Sequence, residues 1–189
     1  MTTIIGICGF IGSGKNTVAE ILEKEYGFVP VSFAAVLKDM SSALFGWDRE
    51  MLEGKTEYAR KAREEVDPWW AKKLSIPNFS PRFALQYIGT DVMRDHFHEN
   101  IWVISAERKI IMHDRVVLSD VRFPNEIRMI KNNCGAMWRV SRDPEPDLNN
   151  LHVSETAWID AEFDRVIDNN GSLDDLFVNT REAIRKYIP

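Results

Sequence analysis

The feature that most constrains the fold is a glycine-rich turn near the N-terminus, between an apolar run and a helical pattern. Thr3–Cys8 reads TIIGIC, an apolar run rich in β-branched residues, and the stretch from Gly9 to Lys15 reads GFIGSGK. After Lys15, apolar residues recur at the spacing of one helix face. A strand, a glycine loop, a lysine and a helix in this order predict a P-loop, which cradles phosphate groups.

Each part of this loop has a physical reason to bind an anion. Glycines let successive backbone N–H groups turn towards one anion. The N-terminus of the following helix adds a partial positive charge, and the Lys15 ammonium adds a full one. We therefore expect a nucleoside triphosphate here, rather than a glycine turn that merely joins a strand to a helix. The expected contacts come from Gly9, Gly12, Ser13, Gly14, Lys15, Asn16 and Thr17.

One residue departs from the P-loop pattern and bears on a metal ion. Asn16 follows Lys15 where the pattern has Ser or Thr, whose hydroxyl binds Mg²⁺. The Asn16 carbonyl oxygen is an acceptable hard ligand, and Thr17 stands one place further along. Asp120, at the end of a later apolar run, could hold Mg²⁺ or a metal-bound water, or could shape the turn into the next helix. We expect Mg²⁺, with its ligand among these three residues.

Length and charge narrow the class of protein. A chain of 189 residues is long enough for one domain with a full core. The net charge of −5 and the pI near 5.4 argue against duplex nucleic acid or an anionic membrane as the main partner. Two cysteines give no disulfide framework, and the apolar runs are too short to span a membrane. The N-terminus has no signal-peptide pattern, which favours a cytoplasmic protein with small-molecule partners.

Strand and helix patterns alternate along the chain, which predicts a parallel α/β sheet with helices on both faces. The predicted strands are Thr3–Cys8, Val29–Phe33, Arg115–Ser119, Ala136–Val140 and Arg165–Ile167. The predicted helices are Lys15–Tyr26, Ala34–Phe45, Pro81–Glu99, Ile101–Met112, Pro124–Asn132 and Ser172–Tyr187.

Two segments interrupt this alternation within a predicted single domain, residues 1–189. Residues 46–80 are polar and charged, and they suggest an insertion over the carboxyl ends of the strands, where ligands of parallel sheets bind. Residues 142–152 contain two prolines and three acids and suggest a lid. When the flanking residues of each segment are included, we expect the insertion to cover about residues 34–100 and the lid about residues 142–155.

A second set of candidate ligand-binding residues lies in the segment RFALQYIGTDVMRD. Arg82 and Gln86 are four residues apart and share a helix face, and Arg94 returns near that face. Two guanidinium groups and an amide could grip a phosphate and a base edge together, with Thr90 and Asp91 between them. The alternative is a solvated helix face on which the aspartates pair locally. A lone Lys38 could likewise point at the site or stay solvated.

Basic residues also follow the later strands. Arg122 comes after the run RVVLSD, at a strand end that would line the ligand crevice, which suggests a phosphate ligand. Arg139 and Arg142 flank the start of the predicted lid, and arginines on a lid can close over transferring phosphates. Because side chains alternate along a strand, only one of the two would do so, and we favour Arg142.

Several segments together resemble the phage-type deoxynucleoside monophosphate kinases, a branch of the P-loop kinases. The similar segments are GFIGSGKNTVAE, SFAAVLKDM, RFALQYIGTDVMRDHFHENIWV, VVLSDVRFPNEI, HVSETAW and VIDNNGSLDDLF. The resemblance implies a five-stranded parallel sheet flanked by helices, with an acceptor-binding insertion and a lid. It implies Mg-ATP on the P-loop and a deoxynucleoside monophosphate as acceptor. If the chain is phage-encoded, it would act in the host cytoplasm, and a homodimer is possible.

The resemblance also suggests roles for individual residues. Acceptor contacts would come from Lys38, Arg82, Gln86 and Arg94, and Asn169 would lie near the adenine of ATP. Lys15, Arg122 and Arg142 would offset the charge of the transferring phosphate. Two alternatives stay open: another P-loop small-molecule kinase, such as a dephospho-coenzyme A kinase with Asp39 as base, and a nucleotide-binding regulatory module with little turnover.

Overall fold

The computed structural model describes residues 2–148 and 151–188, apart from the side chain of Ser154. The chain divides into two compact units, Met1–Phe33 with Val103–Pro189, and Ala34–Trp102. The second unit has nearly the bounds expected of the insertion, while its role in binding an acceptor stays a prediction. Two residues of the predicted lid, 149 and 150, lie outside the described residues.

The first unit contains a five-stranded sheet in which all the neighbouring strands are parallel. The strands are β1 Thr3–Cys8, β2 Val29–Pro30, β3 Arg115–Leu118, β4 Ala136–Ser141 and β5 Arg165–Asp168. Their spatial order is β2-β3-β1-β4-β5, so the strand before the glycine loop is central. All five predicted strands are confirmed. The second is shorter than predicted, although the Val31 N–H still donates to the Val117 carbonyl at 2.9 Å.

Burial explains why the central strands are apolar. Ile5 and Ile7 of β1 and Trp138 of β4 are fully buried, and they join one core with Val18 and Leu22 of the first helix. A strand covered on both faces reads as a continuous apolar run, as TIIGIC does. The glycine loop therefore follows a strand that is packed firmly in the core.

Helices flank this sheet, and capping residues lie at several of their ends. In the first unit they are α1 Lys15–Tyr26, α8 Pro124–Asn132, α9 Val153–Thr156 and α10 Leu173–Ile184, and α7 Ile101–Ile110 contains the boundary between the units. The first ends at Gly27, at φ 68°, and Ser172 caps the last in a reciprocal pair with Asp175. Within the described residues, no helix is long and apolar enough to cross a membrane.

The second unit is helical and has an aromatic core. Its helices are α2 Ala35–Phe45, α3 Arg49–Glu53, α4 Glu57–Glu64, α5 Pro68–Leu74, α6 Pro81–Gln86 and a π-helix at Tyr87–Phe97. Phe45 stacks on Trp47 at 4.4 Å between ring centroids and meets Trp70 edge-on at 5.1 Å. Asp67 accepts both the Trp70 N–H and the Trp47 indole N–H, so one carboxylate caps α5 and fixes the aromatic cluster.

The prediction of one α-helix over Pro81–Glu99 is wrong. The α-helix ends at Gln86, and the π-helix that follows closes with the His98 N–H donating to the Met93 carbonyl, five residues back, at 2.9 Å. Gly89 lies in this stretch, and its carbonyl accepts the Trp102 indole N–H at 2.9 Å. Such a tertiary contact leaves no trace in residue spacing. Because the winding changes, the expected α-helical stripe does not extend from Gln86 to Arg94.

Candidate active site

The residues predicted to bind ATP, its metal ion and the transferring phosphate follow strands that end at one edge of the sheet. The glycine loop follows β1, Asp120 and Arg122 follow β3, and Asn169 follows β5. All five strands are parallel, so these residues share the carboxyl edge, where open α/β sheets bind ligands. The structure thus brings the predicted donor residues to the expected edge.

The glycine loop has the backbone conformation that its glycines permit. Gly9, Gly12 and Gly14 have φ values of 148°, 82° and 104°, which side-chain-bearing residues rarely adopt. A Cβ on Gly9 would also lie 2.5 Å from the Val140 carbonyl oxygen. The loop is therefore packed tightly against β4, and two independent restraints require glycine at its first position.

Asn169 contacts the opposite end of the same loop. Its Nδ2 donates to the Ser13 carbonyl oxygen at 2.7 Å, and a Cβ on Gly14 would lie 2.4 Å from that nitrogen. The backbone of Asn169 is anchored in turn, because its N–H donates to the Ser141 carbonyl at 2.9 Å. Asn169 therefore supports the loop directly, while its contact with adenine stays a prediction.

Lys15 is folded onto its own loop. Its Nζ donates to the Gly9 and Phe10 carbonyl oxygens at 2.6 and 2.7 Å. Burial, and then the charge of Arg122, lower the pKa of the ammonium from 10.5 to about 8, against the opposing charges of Glu155 and Asp120. The ammonium is thus still mostly charged at neutral pH, and a bound phosphate would replace neutral carbonyl partners with an anion.

Arg122 is held at both its backbone and its side chain. The N–H groups of Arg122 and Phe123 donate to the buried Glu126 carboxylate at 2.7 and 3.1 Å. Its guanidinium Nη1 lies 3.2 Å from Oε1 of Glu155. A cation fixed at the carboxyl edge, within electrostatic reach of Lys15, suits a phosphate ligand.

Asp120 is oriented by the end of the second strand. Oδ2 accepts the Ser32 hydroxyl at 2.6 Å, and Oδ1 accepts the Phe33 N–H at 3.2 Å. Asn16 is exposed and Thr17 half-buried in the first turn of α1. In the part of the chain that the structure describes, no group of three or more His, Cys, Asp or Glu side chains is placed to hold a metal ion. Asn16, Thr17 and Asp120 offer oxygen atoms, which together with nucleotide phosphates are the kind of ligand that Mg²⁺ prefers.

The two arginines beside the predicted lid have different surroundings. Arg142 follows the end of β4 and is exposed. Arg139 is within β4, pairs with Glu145 and lies 5.6 Å over the Trp158 ring, which itself packs on Phe10 of the glycine loop. Arg139 is thus already paired with a residue near the start of the predicted lid.

The predicted acceptor residues all lie in the second unit, and ion pairs hold Lys38 and Arg82 there. Lys38 pairs with Glu53 at 2.7 Å, and Arg82 pairs with Glu64 at 3.2 Å. Gln86 lies at the end of α6, and the π-helix contains Thr90, Asp91 and Arg94. Thr90 and Arg94 are buried. Asp39, the candidate base of the alternative kinase, instead accepts a bond from Arg49 at 2.6 Å.

Two acidic residues of this site did not emerge from sequence patterns. Glu126 occupies the third position of a helix that begins with Pro124, which is the position from which a glutamate caps the preceding backbone. That spacing could have identified it. Glu155 stands in the family-like segment HVSETAW, but nothing in its spacing links it to Arg122, 33 residues away.

The sequence is similar to those of a known protein family. The sequence pattern of the family described as "Deoxynucleotide monophosphate kinase" matches residues 53–180. A "Putative deoxynucleotide monophosphate kinase" of Acanthamoeba polyphaga mimivirus is 33% identical, over 92% of each chain. A "Deoxynucleoside-5'-monophosphate kinase" of Escherichia phage T5 is 26% identical, over 69% of this chain and 72% of the phage protein.

The fold is also found among solved structures. The crystal structure of TT1252 from Thermus thermophilus superposes with a TM-score of 0.51 and 19% identity, covering 100% of this chain and 98% of that one. At that identity the similarity concerns the fold alone. The family pattern and the relatives confirm the resemblance found in the sequence, and the chain belongs to the deoxynucleotide monophosphate kinase family.

Proposed function

We propose that this protein transfers the γ-phosphoryl group of ATP to the phosphate of a deoxynucleoside monophosphate. An acceptor phosphate oxygen forms the new bond to the γ-phosphorus, and the bond to the β,γ-bridging oxygen breaks, so that ADP leaves with that electron pair. The observation that carries the proposal is the P-loop, with Lys15 and Arg122 at one sheet edge, in a chain of this family.

The chemistry needs positive charge and positioning rather than a general base. The acceptor phosphate is already anionic near neutral pH, so no proton has to be removed from it. Bringing two anions in line is the main obstacle, and fixed cations lower it. Lys15 and Arg122 supply charge from the sheet edge, and Arg142, exposed beside the lid segment, supplies it on lid closure.

Mg²⁺ would be held by Asn16, Thr17 and Asp120 together with nucleotide phosphates, and it would neutralise phosphate charge when bound. We expect alanine at one or more of these positions to raise the Mg²⁺ concentration that gives half-maximal activity. Glu162→Ala, at an exposed carboxylate, is the control. If all three variants keep the wild-type Mg²⁺ requirement, the metal is held by other groups.

The second unit supplies the acceptor site in this proposal. Alanine in place of Arg82 or Arg94 is expected to raise the KM for the deoxynucleotide about tenfold or more, the loss of a charge-assisted bond, with less effect on the KM for ATP. Lys61→Ala removes an exposed cation of the same unit and should change neither constant. A larger effect on ATP than on the acceptor would assign these arginines to the donor side.

The proposed partners are ATP and the deoxynucleotide, without a nucleic acid or a membrane. The proposed location is the cytoplasm, which would be that of the host if the chain is phage-encoded. A homodimer is a further proposal, and light scattering of the purified protein tests it directly: a monomer mass at working concentration would reject it.

Consumption of ATP with and without deoxynucleotides tests the proposed function. A kinase uses ATP at a rate that rises with the acceptor and saturates. A regulatory nucleotide-binding module would show the same low rate throughout, and dephospho-coenzyme A in place of the deoxynucleotide tests the alternative kinase.

A further inference from the structure

We propose that Glu155 is a positioning residue of the donor site, whose carboxylate holds the Arg122 guanidinium where it contacts the transferring phosphate. This inference rests on the proposed function, because it takes Arg122 as a phosphate ligand. Glu155 lies in the short helix α9, at the end of the predicted lid segment, about residues 142–155.

The burial of the two side chains is unequal, and that inequality indicates which one is the anchor. The Glu155 side chain is 8% exposed, whereas the Arg122 side chain is 40% exposed. A buried carboxylate is unfavourable unless a cation and hydrogen bonds compensate for its lost hydration. A guanidinium carries five N–H donors, and the bond to Glu155 engages Nη1. The bond to Glu155 uses one of these donors, so the pair restrains Arg122 without engaging the whole guanidinium group.

The backbone of Arg122 is held separately from its side chain, and Glu155 acts on the side chain. The Glu126 carboxylate accepts the backbone N–H groups of Arg122 and Phe123, which lie on either side of the Arg122 α-carbon. Glu126 is itself 1% exposed. With the backbone held there, the remaining freedom is that of the arginine side chain, which has several rotatable bonds. An ion pair at its end restricts this freedom before ATP arrives.

Glu155 also acts on the other cation of the site, Lys15. Arg122 and Glu155 both act electrostatically on Lys15, with opposite signs. Two cations that must sit together repel each other, and a carboxylate near both offsets that repulsion. Glu155 is thus placed to keep Lys15 and Arg122 at one phosphate site.

A competing role predicts the opposite result. If Glu155 were only a counter-ion that a phosphate displaces from Arg122, removing its charge would strengthen ATP binding. If it positions Arg122, removing its charge leaves the guanidinium less ordered, so that ATP binds more weakly and turnover falls. The sign of the change in ATP affinity therefore separates the two roles.

A double-mutant cycle tests the proposal. Glu155→Gln, Arg122→Ala and the double variant are compared with wild type in ATP affinity by calorimetry and in kcat with a deoxynucleotide acceptor. We expect Glu155→Gln to lower kcat about 10- to 100-fold, the range found when a group that orients a metal-binding side chain is lost. In the Arg122→Ala background, the same change should cost less than about threefold, because the two act as one unit.

Controls keep the result interpretable. Glu162→Gln removes a carboxylate that is 96% exposed and should match wild type. Thermal unfolding checks each variant, and Glu155→Asp, which keeps the charge but shortens its reach, replaces a Gln variant that does not fold. Tighter ATP binding by the Glu155 variant, or costs that multiply independently in the cycle, would overturn the proposal.

Failure of the proposed function gives a different pattern. Wild type would then show no acceptor-dependent turnover with any deoxynucleotide, while the calorimetric half of the cycle would still report whether Glu155 acts on ATP through Arg122. Wild-type activity with an unaffected Glu155→Gln variant would reject the positioning role alone.

Discussion

Replacing Lys15 by alanine is expected to lower kcat by about two to four orders of magnitude, which corresponds to roughly 3–5 kcal/mol of transition-state stabilisation. The Lys15 ammonium is part-buried, so its charge acts in a medium that screens it less than water does. Its present partners are two backbone carbonyls, so its removal leaves no buried carboxylate unpaired in this loop. The fold should therefore survive the change.

The matched control for this prediction is on the same helix. Lys24→Ala removes an exposed lysine that pairs with Glu20 at 3.3 Å, four residues earlier. Such exposed pairs contribute about 0.5 kcal/mol or less, so this variant should keep wild-type turnover. Circular dichroism shows whether both proteins are folded. Near-normal kcat in a folded Lys15→Ala protein would contradict the assignment of the P-loop.

Replacing Gly9 by alanine is the second change with a large expected effect. At φ 148° an alanine is strained by about 1–3 kcal/mol, and its Cβ would lie 2.5 Å from the Val140 carbonyl oxygen. That oxygen belongs to the backbone of β4, so the loop has to move instead. A displacement of about 1 Å at a reacting site can cost about 100-fold. We expect ATP affinity and kcat/KM to fall by about that factor.

Gly12 offers a control with the same kind of backbone and no steric conflict. Its φ is 82°, but a Cβ there would meet no atom within 4 Å. Gly12→Ala should therefore cost only the backbone strain, about 1–2 kcal/mol, and lower ATP affinity less. Calorimetry with ATP measures both variants. Equal losses at the two positions would show that the contact with β4 does not set the loop geometry.

Much of the fold could be predicted because local patterns carry it. The strand TIIGIC and helix α1 lie where the sequence predicts them, since burial on both sheet faces and a glycine at each helix end leave clear signals. The cap of Ser172 on α10 is of the same kind, because its partner is only three residues away. Features that depend on residues a few positions apart can be predicted from a sequence.

The features that could not be predicted depend on residues far apart in the chain. The contact of Gly9 with Val140, the bond of Asn169 to Ser13 and the pair of Arg122 with Glu155 each join separate segments. The π-helix is a similar case, because residue spacing does not distinguish its backbone from that of an α-helix. For the same reason, the roles of the predicted acceptor residues stay predictions until the kinetic tests above are made. The glycine loop, in contrast, has the predicted geometry.

Direct detection of a deoxynucleoside diphosphate tests the central proposal best. The purified protein is incubated with Mg-ATP and each common deoxynucleoside monophosphate in turn, and products are separated by ion-exchange chromatography. The ribonucleotides and dephospho-coenzyme A serve as competing acceptors, and the Lys15→Ala protein serves as the blank. We expect at least one deoxynucleoside diphosphate to form, with ADP in equal amount, well above the blank. Phosphorylation of dephospho-coenzyme A alone, or no product with any acceptor, would contradict the proposal.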